Sequence, residues 1–289
     1  LAWKREDDGR IAFRWNRNLN VSGGVAIMLP EGEDNLSARF ARYAAGGPVA
    51  SLLLVLIGLG IRWVMPEGNF FRLLGLMMAL FSGFIFIATV IPFRAGGFAS
   101  DGMRVLTLLR GGPAAKADLA IIRSMGILRS GRPYTDLPLA EFEAMEADDT
   151  ANPIQRVTGY YYRYLYCLSI DELDQAAAFL QQTMDNLSVY PKGMDGGFYL
   201  EEALFAAKYP QDLPAAESAF GKFQPNPVVE PLSIALAQAA IAELKGDNEA
   251  LQQALPIIEQ GLSRTIDQSR VPTIKTWLKS WKDGIKTVR

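Results

Sequence analysis

The chain has 289 residues, 49% of them hydrophobic, with 29 Lys and Arg against 31 Asp and Glu, a single Cys and no His. One Cys excludes an intrachain disulfide and fits a reducing compartment. The lack of His excludes imidazole bases, Ser–His and Cys–His nucleophile pairs and any His-based metal site built by this chain alone. The near-neutral total hides an asymmetry: residues 1–133 hold 16 basic and 9 acidic side chains, whereas residues 134–289 hold 13 and 22. A basic half with long uncharged runs, followed by an acidic half with regular charges, reads as a membrane unit joined to a soluble one.

The first fifteen residues, LAWKREDDGRIAFRW, read as two short strands around Asp7-Asp8-Gly9, a tight-turn sequence. Residues 18–30, with Gly23-Gly24 and Pro30, read as a loop or bent strand, and EGEDN at 31–35 as a solvated turn in front of a helix capped by Asn35 or Ser37. No secretory signal pattern precedes these strands. Because the sequence opens at Leu1 rather than Met, the chain is expected to be either processed or a fragment of a longer one.

Two uncharged runs follow, 18 residues from Ala44 to Ile61 and 21 from Leu73 to Phe93. A hydrocarbon core about 30 Å thick takes roughly 20 apolar residues of helix, so both runs qualify as spanning helices. Neither shows the polar stripe of a core helix in a soluble protein. Their Gly, Ala and Ser positions allow close helix approach. The short connection 62–72 makes the pair a hairpin, with Trp63 at the interface. The outer flanks carry Arg39, Arg42, Arg94, Arg104, Arg110 and Lys116, the connection only Arg62 and Arg72, so the outer ends are expected in the cytoplasm.

After Arg104 a short amphipathic helix ends at Gly111-Gly112-Pro113, and a second, about 114–129, carries Leu119, Ile122, Met125 and Leu128 on one face. Residues 130–153, rich in Pro, Gly and carboxylates, read as a linker. Beyond it lie three helix pairs: about 154–168 with 171–189, 197–208 with 212–223, and 231–245 with 247–263. The second helices of the last two pairs open at Asp212 and Asp247, each an Asp cap before small residues. Their spacing of 35 residues is near the ~34-residue tetratricopeptide period. Such surfaces bind peptides or proteins.

The expected fold is therefore mainly α. Residues 1–43 form a β-hairpin segment and pre-membrane helix, 44–129 a membrane domain of two transmembrane helices, 130–153 the linker, and 154–289 a soluble repeat-like domain. Asp148-Asp149 and Glu201-Glu202 read as solvated faces, and the aromatic run YYYRYLY at 160–166 as a packed helix face. The acidic host domain of that run argues against nucleic acid. The glycines at 96–97 and 111–112 lack the Lys-Ser/Thr of a phosphate loop.

Asp101 is the residue with unusual placement. It stands just past the second apolar run, where Ser100 or Asp101 itself caps the next helix and where a carboxylate at membrane depth is costly without a partner. Three segments, in order, resemble the site-2 protease family of intramembrane zinc metallopeptidases. Residues 1–30 resemble its β-hairpin segment, AAGGPVASLLL at 44–54 its Gly-Pro helix, through Gly47 and Pro48, and TVIPFRAGGFASDGMRVL at 89–106 its Asp-Gly motif, through Pro92, Asp101 and Gly102. The resemblance covers about residues 1–110 and implies that Asp101 is a zinc ligand. Ser51 and Thr89 replace the family's Asn residues, and Pro92 and Asp101 are nine residues apart, farther than is common. The His-Glu-x-x-His helix, which supplies the other ligands and the catalytic Glu, is absent. It would precede Leu1, so no catalytic residue is expected in this chain and no activity from it alone. In complete form the resemblance implies hydrolysis of a protein or peptide substrate in or near the lipid bilayer, with zinc as cofactor and a partner on the C-terminal helices. The competing class is a non-catalytic, membrane-anchored scaffold that binds proteins through those helices.

Overall fold

The computed structural model describes residues 2–5, 11–14, 34–95, 98–148, 152–190, 193–225 and 229–287, and these are mainly helical. At the N-terminus Ala2–Arg5 (β1) and Ile11–Arg14 (β2) pair antiparallel, with Trp3 opposite Phe13. The Asp7-Asp8-Gly9 turn, the 18–30 segment, the first residues of EGEDN, Gly96-Gly97 and Asp149 lie outside the described residues. The expected β segment is thus carried no further than these two stretches, and Leu36 begins the first helix.

The pre-membrane helix and first apolar run form one helix, α1 (Leu36–Val64), of 29 residues. Asn35 occupies its N-cap position in the left-handed region, without a side-chain bond to the helix. The chain reverses through Gly68, at φ +78°, and enters α2 (Phe70–Val90), whose first turn is capped by Asn69 accepting from the Phe71 amide at 2.8 Å. Both helices are long and apolar enough to cross a bilayer, and only 17% of each most apolar window is buried within the protein. Phe84 is 75% and Phe81 67% exposed. A water-soluble domain rarely leaves a continuous apolar face of this size uncovered.

The two helices touch backbone to backbone. A Cβ built on Gly58 would stand 2.6 Å from the Gly75 carbonyl oxygen and 2.8 Å from the Ala79 nitrogen, and one on Gly75 would stand 2.7 Å from the Gly58 oxygen. Glycine is required here for approach, not for a turn. This is how apolar helices associate in lipid, where burial of apolar surface gives no net drive.

Past α2, two-residue strands β3 (Arg94–Ala95) and β4 (Phe98–Ala99) pair antiparallel and lead into α3 (Asp101–Arg110) and α4 (Pro113–Ser130). Leu36 and Phe40 of α1 form a small core with Leu108 of α3 and Ala115 and Ile122 of α4, which fixes the base of the hairpin to the rest.

The stretch expected as a linker is folded. It holds a 3-10 turn at Tyr134–Asp136 and α5 (Leu139–Ala147), and Phe142 is fully buried, stacked at 5.2 Å on Tyr162. Three helix hairpins follow: α6 (Pro153–Ser169) with α7 (Leu173–Asp185), α8 (Gly196–Lys208) with α9 (Leu213–Lys222), and α10 (Pro231–Lys245) with α11 (Asn248–Gly261). Asp212 accepts from Ala215 N and Asp247 from Ala250 N, both at 3.0 Å, so the two caps read from sequence occupy equivalent places. The stack ends in α12 (Val271–Thr287), which buries Ile274, Leu278 and Trp281 against the last pair.

Candidate functional site

The loop 91–100 is built around the hydroxyl of Ser100. That oxygen donates to the Ile91 carbonyl at 2.7 Å and accepts from the Phe93 and Met103 amides, each at 3.2 Å. One side chain thereby ends α2, closes the loop and caps α3. The cap is Ser100, so Asp101 becomes the first residue of α3 with its carboxylate released from capping. Asp101 is half-buried, and its side chain forms no hydrogen bond or ion pair among the described residues.

The Asp101 carboxylate lies against α1. A Cβ on Gly47 would be 3.1 Å from Asp101 Oδ2, the nearest atom it would meet. Gly47 itself is exposed, so the space shared by the two residues opens outward from the hairpin. Pro48, next to it, is buried inside α1, where it lacks the N–H that would bond to the fourth residue back. Gly102 has the strongest steric constraint: a Cβ there would sit 1.9 Å from the Val90 oxygen. The start of α3 is therefore pressed onto the last turn of α2, and no larger residue fits without moving one of them. Pro92, exposed in the loop, follows directly where α2 stops. Of the five positions singled out in the sequence, Gly47 and Pro48 lie on α1, Pro92 after α2, and Asp101 and Gly102 at the start of α3, and the structure brings Gly47 against Asp101.

As a metal site this set is incomplete. Among the described residues no group of three or more His, Cys, Asp or Glu could hold an ion, and the chain has no His. A catalytic zinc takes three protein ligands, and Asp101 offers one. Zinc does not fit this chain by itself.

The polar features that the sequence did not reveal lie in the helical stack. Glu201, read as a solvated residue, is buried. Arg270 donates two hydrogen bonds to it at 2.5 and 2.6 Å, and the Tyr164 hydroxyl donates a third at 2.7 Å. Burial pushes the Glu201 carboxyl up, but the Arg270 guanidinium outweighs it and holds the group below the ordinary glutamate value. Tyr134 donates to Asp267 at 2.5 Å beside this pair. Glu201, Tyr164 and Tyr134 stand 69 or more residues from Arg270 in sequence, which no local pattern encodes. Glu202, by contrast, is half-exposed, with Lys222 4.0 Å away. Nearer the hairpin in sequence, Asp118 of α4 accepts from Gln155 and is raised by burial, against the pull of Arg94 and Arg104.

The aromatic run at 160–166 is packed as expected, with Tyr162 and Tyr164 buried and Tyr161 edge-on to Phe198 at 5.3 Å. Comparison with protein-family models, curated proteins and solved structures found no match to this chain.

Proposed function

We propose that this chain contributes the Asp ligand and two spanning helices of a site-2-protease-like zinc metallopeptidase, which in its complete form hydrolyses peptide bonds in or near the bilayer. The observation that carries the reading is the approach of the Asp101 carboxylate to Gly47. It joins a Gly-Pro helix to an Asp-Gly motif at one end of an apolar hairpin, and leaves that carboxylate without a partner of its own. A half-buried acid at the edge of a bilayer is a functional candidate by its cost. The exposed face of Gly47 leaves room for a further helix, and the remaining ligands and the proton-accepting Glu must come from residues outside this sequence.

In the same reading β1 and β2 belong to the β-hairpin segment, and the excess of Arg at the outer ends places those ends and the stacked helices in the cytoplasm. The stack is tetratricopeptide-like and holds a substrate or partner protein. The competing reading, a membrane-anchored scaffold, is favoured by one observation: α12 packs Ile274, Leu278 and Trp281 against the last helix pair, whereas the described residues hold no complete metal site.

The test is the zinc content of the complete gene product, purified in detergent with whatever its reading frame encodes upstream. One tightly held zinc, lost in Asp101→Ala but kept in Ser51→Ala, is expected. Zinc at an unchanged level in Asp101→Ala, or none in the parent protein, contradicts the peptidase reading and leaves the scaffold.

A further inference from the structure

We propose that the cleft beside the outer end of the hairpin binds an anionic phospholipid of the adjoining leaflet. Its headgroup lies at Arg94 and Lys116, and an acyl chain lies along an apolar floor. The proposal rests on α1 and α2 crossing a bilayer and is independent of the metal reading.

The cleft, about 1390 Å³, lies between the first half of α4, α5 and the start of α6. It exceeds the ~300–1,000 Å³ of ordinary small-molecule pockets, which favours an extended ligand. Its lining combines charged and apolar side chains. It includes Arg94, a few residues past the end of α2, and Gly111 and Lys116, where α3 gives way to α4. These are the lining residues nearest the hairpin in chain order. Lys116 is exposed and forms no ion pair among the described residues. Leu109, at the end of α3, leaves 76% of its surface open. The apolar lining includes Ala117, Leu119, Ala144 and Met145. Glu141, paired with Arg123 at 3.0 Å, and Asp148 complete the charged lining on and after α5.

Cations close in sequence to the hairpin, together with apolar side chains in one cleft, match an amphiphile with a negative head. An acidic peptide matches less well, since Glu141 and Asp148 also line the cleft. A neutral apolar peptide would leave Lys116 without a counter-charge. Arg94 and Lys116 also continue the series Arg39, Arg42, Arg104 and Arg110 on the same end of the hairpin, so the anionic surface that attracts those residues is the source of the ligand.

The experiment is native mass spectrometry of the full chain in detergent with phosphatidylglycerol, phosphatidylcholine, inorganic phosphate or a glutamate-rich peptide. Phosphatidylglycerol is expected to be retained over phosphatidylcholine and not displaced by an equal concentration of phosphate. Arg94→Gln with Lys116→Gln should weaken it roughly tenfold or more. Ala144→Trp, which fills the floor from an exposed position on α5, should weaken it with no change in thermal unfolding. Equal retention of the two lipids, or retention indifferent to both variants, would mean annular lipid only and overturn the proposal. Displacement by phosphate, or tighter binding of the peptide, would overturn it too. Release of the chain from membranes by alkaline carbonate is a separate failure, since it defeats the spanning helices themselves.

Discussion

Single residues at the base of the hairpin do work that their type alone does not announce. Gly102 is fixed by a backbone approach, so Gly102→Ala should separate α3 from α2 and cost on the order of 3 kcal/mol or more, read as lost protease resistance in membranes. Gly46→Ala, where an added Cβ meets nothing within 4 Å, is the matched control and should be silent. Gly47→Ala stands between them. Its Cβ meets the far end of the Asp101 side chain, which can swing away, so the fold should persist while the carboxylate is displaced. Ser100→Ala removes three hydrogen bonds at once and should cost about 1–2 kcal/mol, more than an exposed cap alone. Gly47, Pro92 and Asp101 stand out in the sequence by type and order, and the structure brings Gly47 and Asp101 together. The capping role was not, because Ser100 and Asp101 are both good caps and only the loop geometry decides between them.

At the scale of helices, the paired Asp caps make a symmetrical expectation. Asp212→Ala and Asp247→Ala should each lower stability by about 1 kcal/mol in chemical denaturation, and by similar amounts, because their bonds are alike. Glu201 and Arg270 behave differently. Glu201→Gln leaves a buried guanidinium without its partner and should cost about 3–5 kcal/mol, whereas Glu201→Leu combined with Arg270→Met should recover most of that loss. The pH dependence follows from the signs. Glu201, held below its ordinary 4.5, contributes stability that is complete above that value and fades as pH falls through the folded one. Asp118, raised above 3.8, has the opposite sign: it holds its proton more readily when folded, so its charging as pH rises weakens the fold. Asp118→Asn should therefore stabilise the protein at neutral pH and flatten its melting temperature between acid and neutral conditions. An unchanged profile would contradict the part assigned to burial. Helix pairs and caps were readable because periodicity and capping are local properties of the chain. The structured stretch at 134–147 was read as a linker because prolines and carboxylates mask a core residue such as Phe142, whose burial depends on Tyr162 arriving from α6.

Across the whole molecule, the end of the stack returns to its beginning. Gln268 N donates to the Leu128 carbonyl at 2.9 Å and the Ser269 hydroxyl to the Arg132 carbonyl at 2.6 Å, so the segment before α12 is tied to the end of α4. Through the small core of Leu36, Phe40, Leu108 and Ile122, α4 is in turn fixed to the base of α1. The stacked helices are thus joined by packed contacts, not by a loose tether, to the end of the hairpin that carries Asp101. The sequence announced the hairpin by its uncharged runs and the stack by its spacing, but the return contact joins residues 137 and more positions apart and has no local signature. The juxtaposition on which the functional reading depends can be measured in isolated membranes by oxidative cross-linking of Gly47→Cys with Asp101→Cys, in a Cys167→Ser background. Rapid disulfide formation in that pair, and none between Gly60→Cys and Asp101→Cys, is the expected result. Failure of the first pair to cross-link, or equal cross-linking of both, would contradict the placement of Asp101 against the Gly-Pro turn of α1.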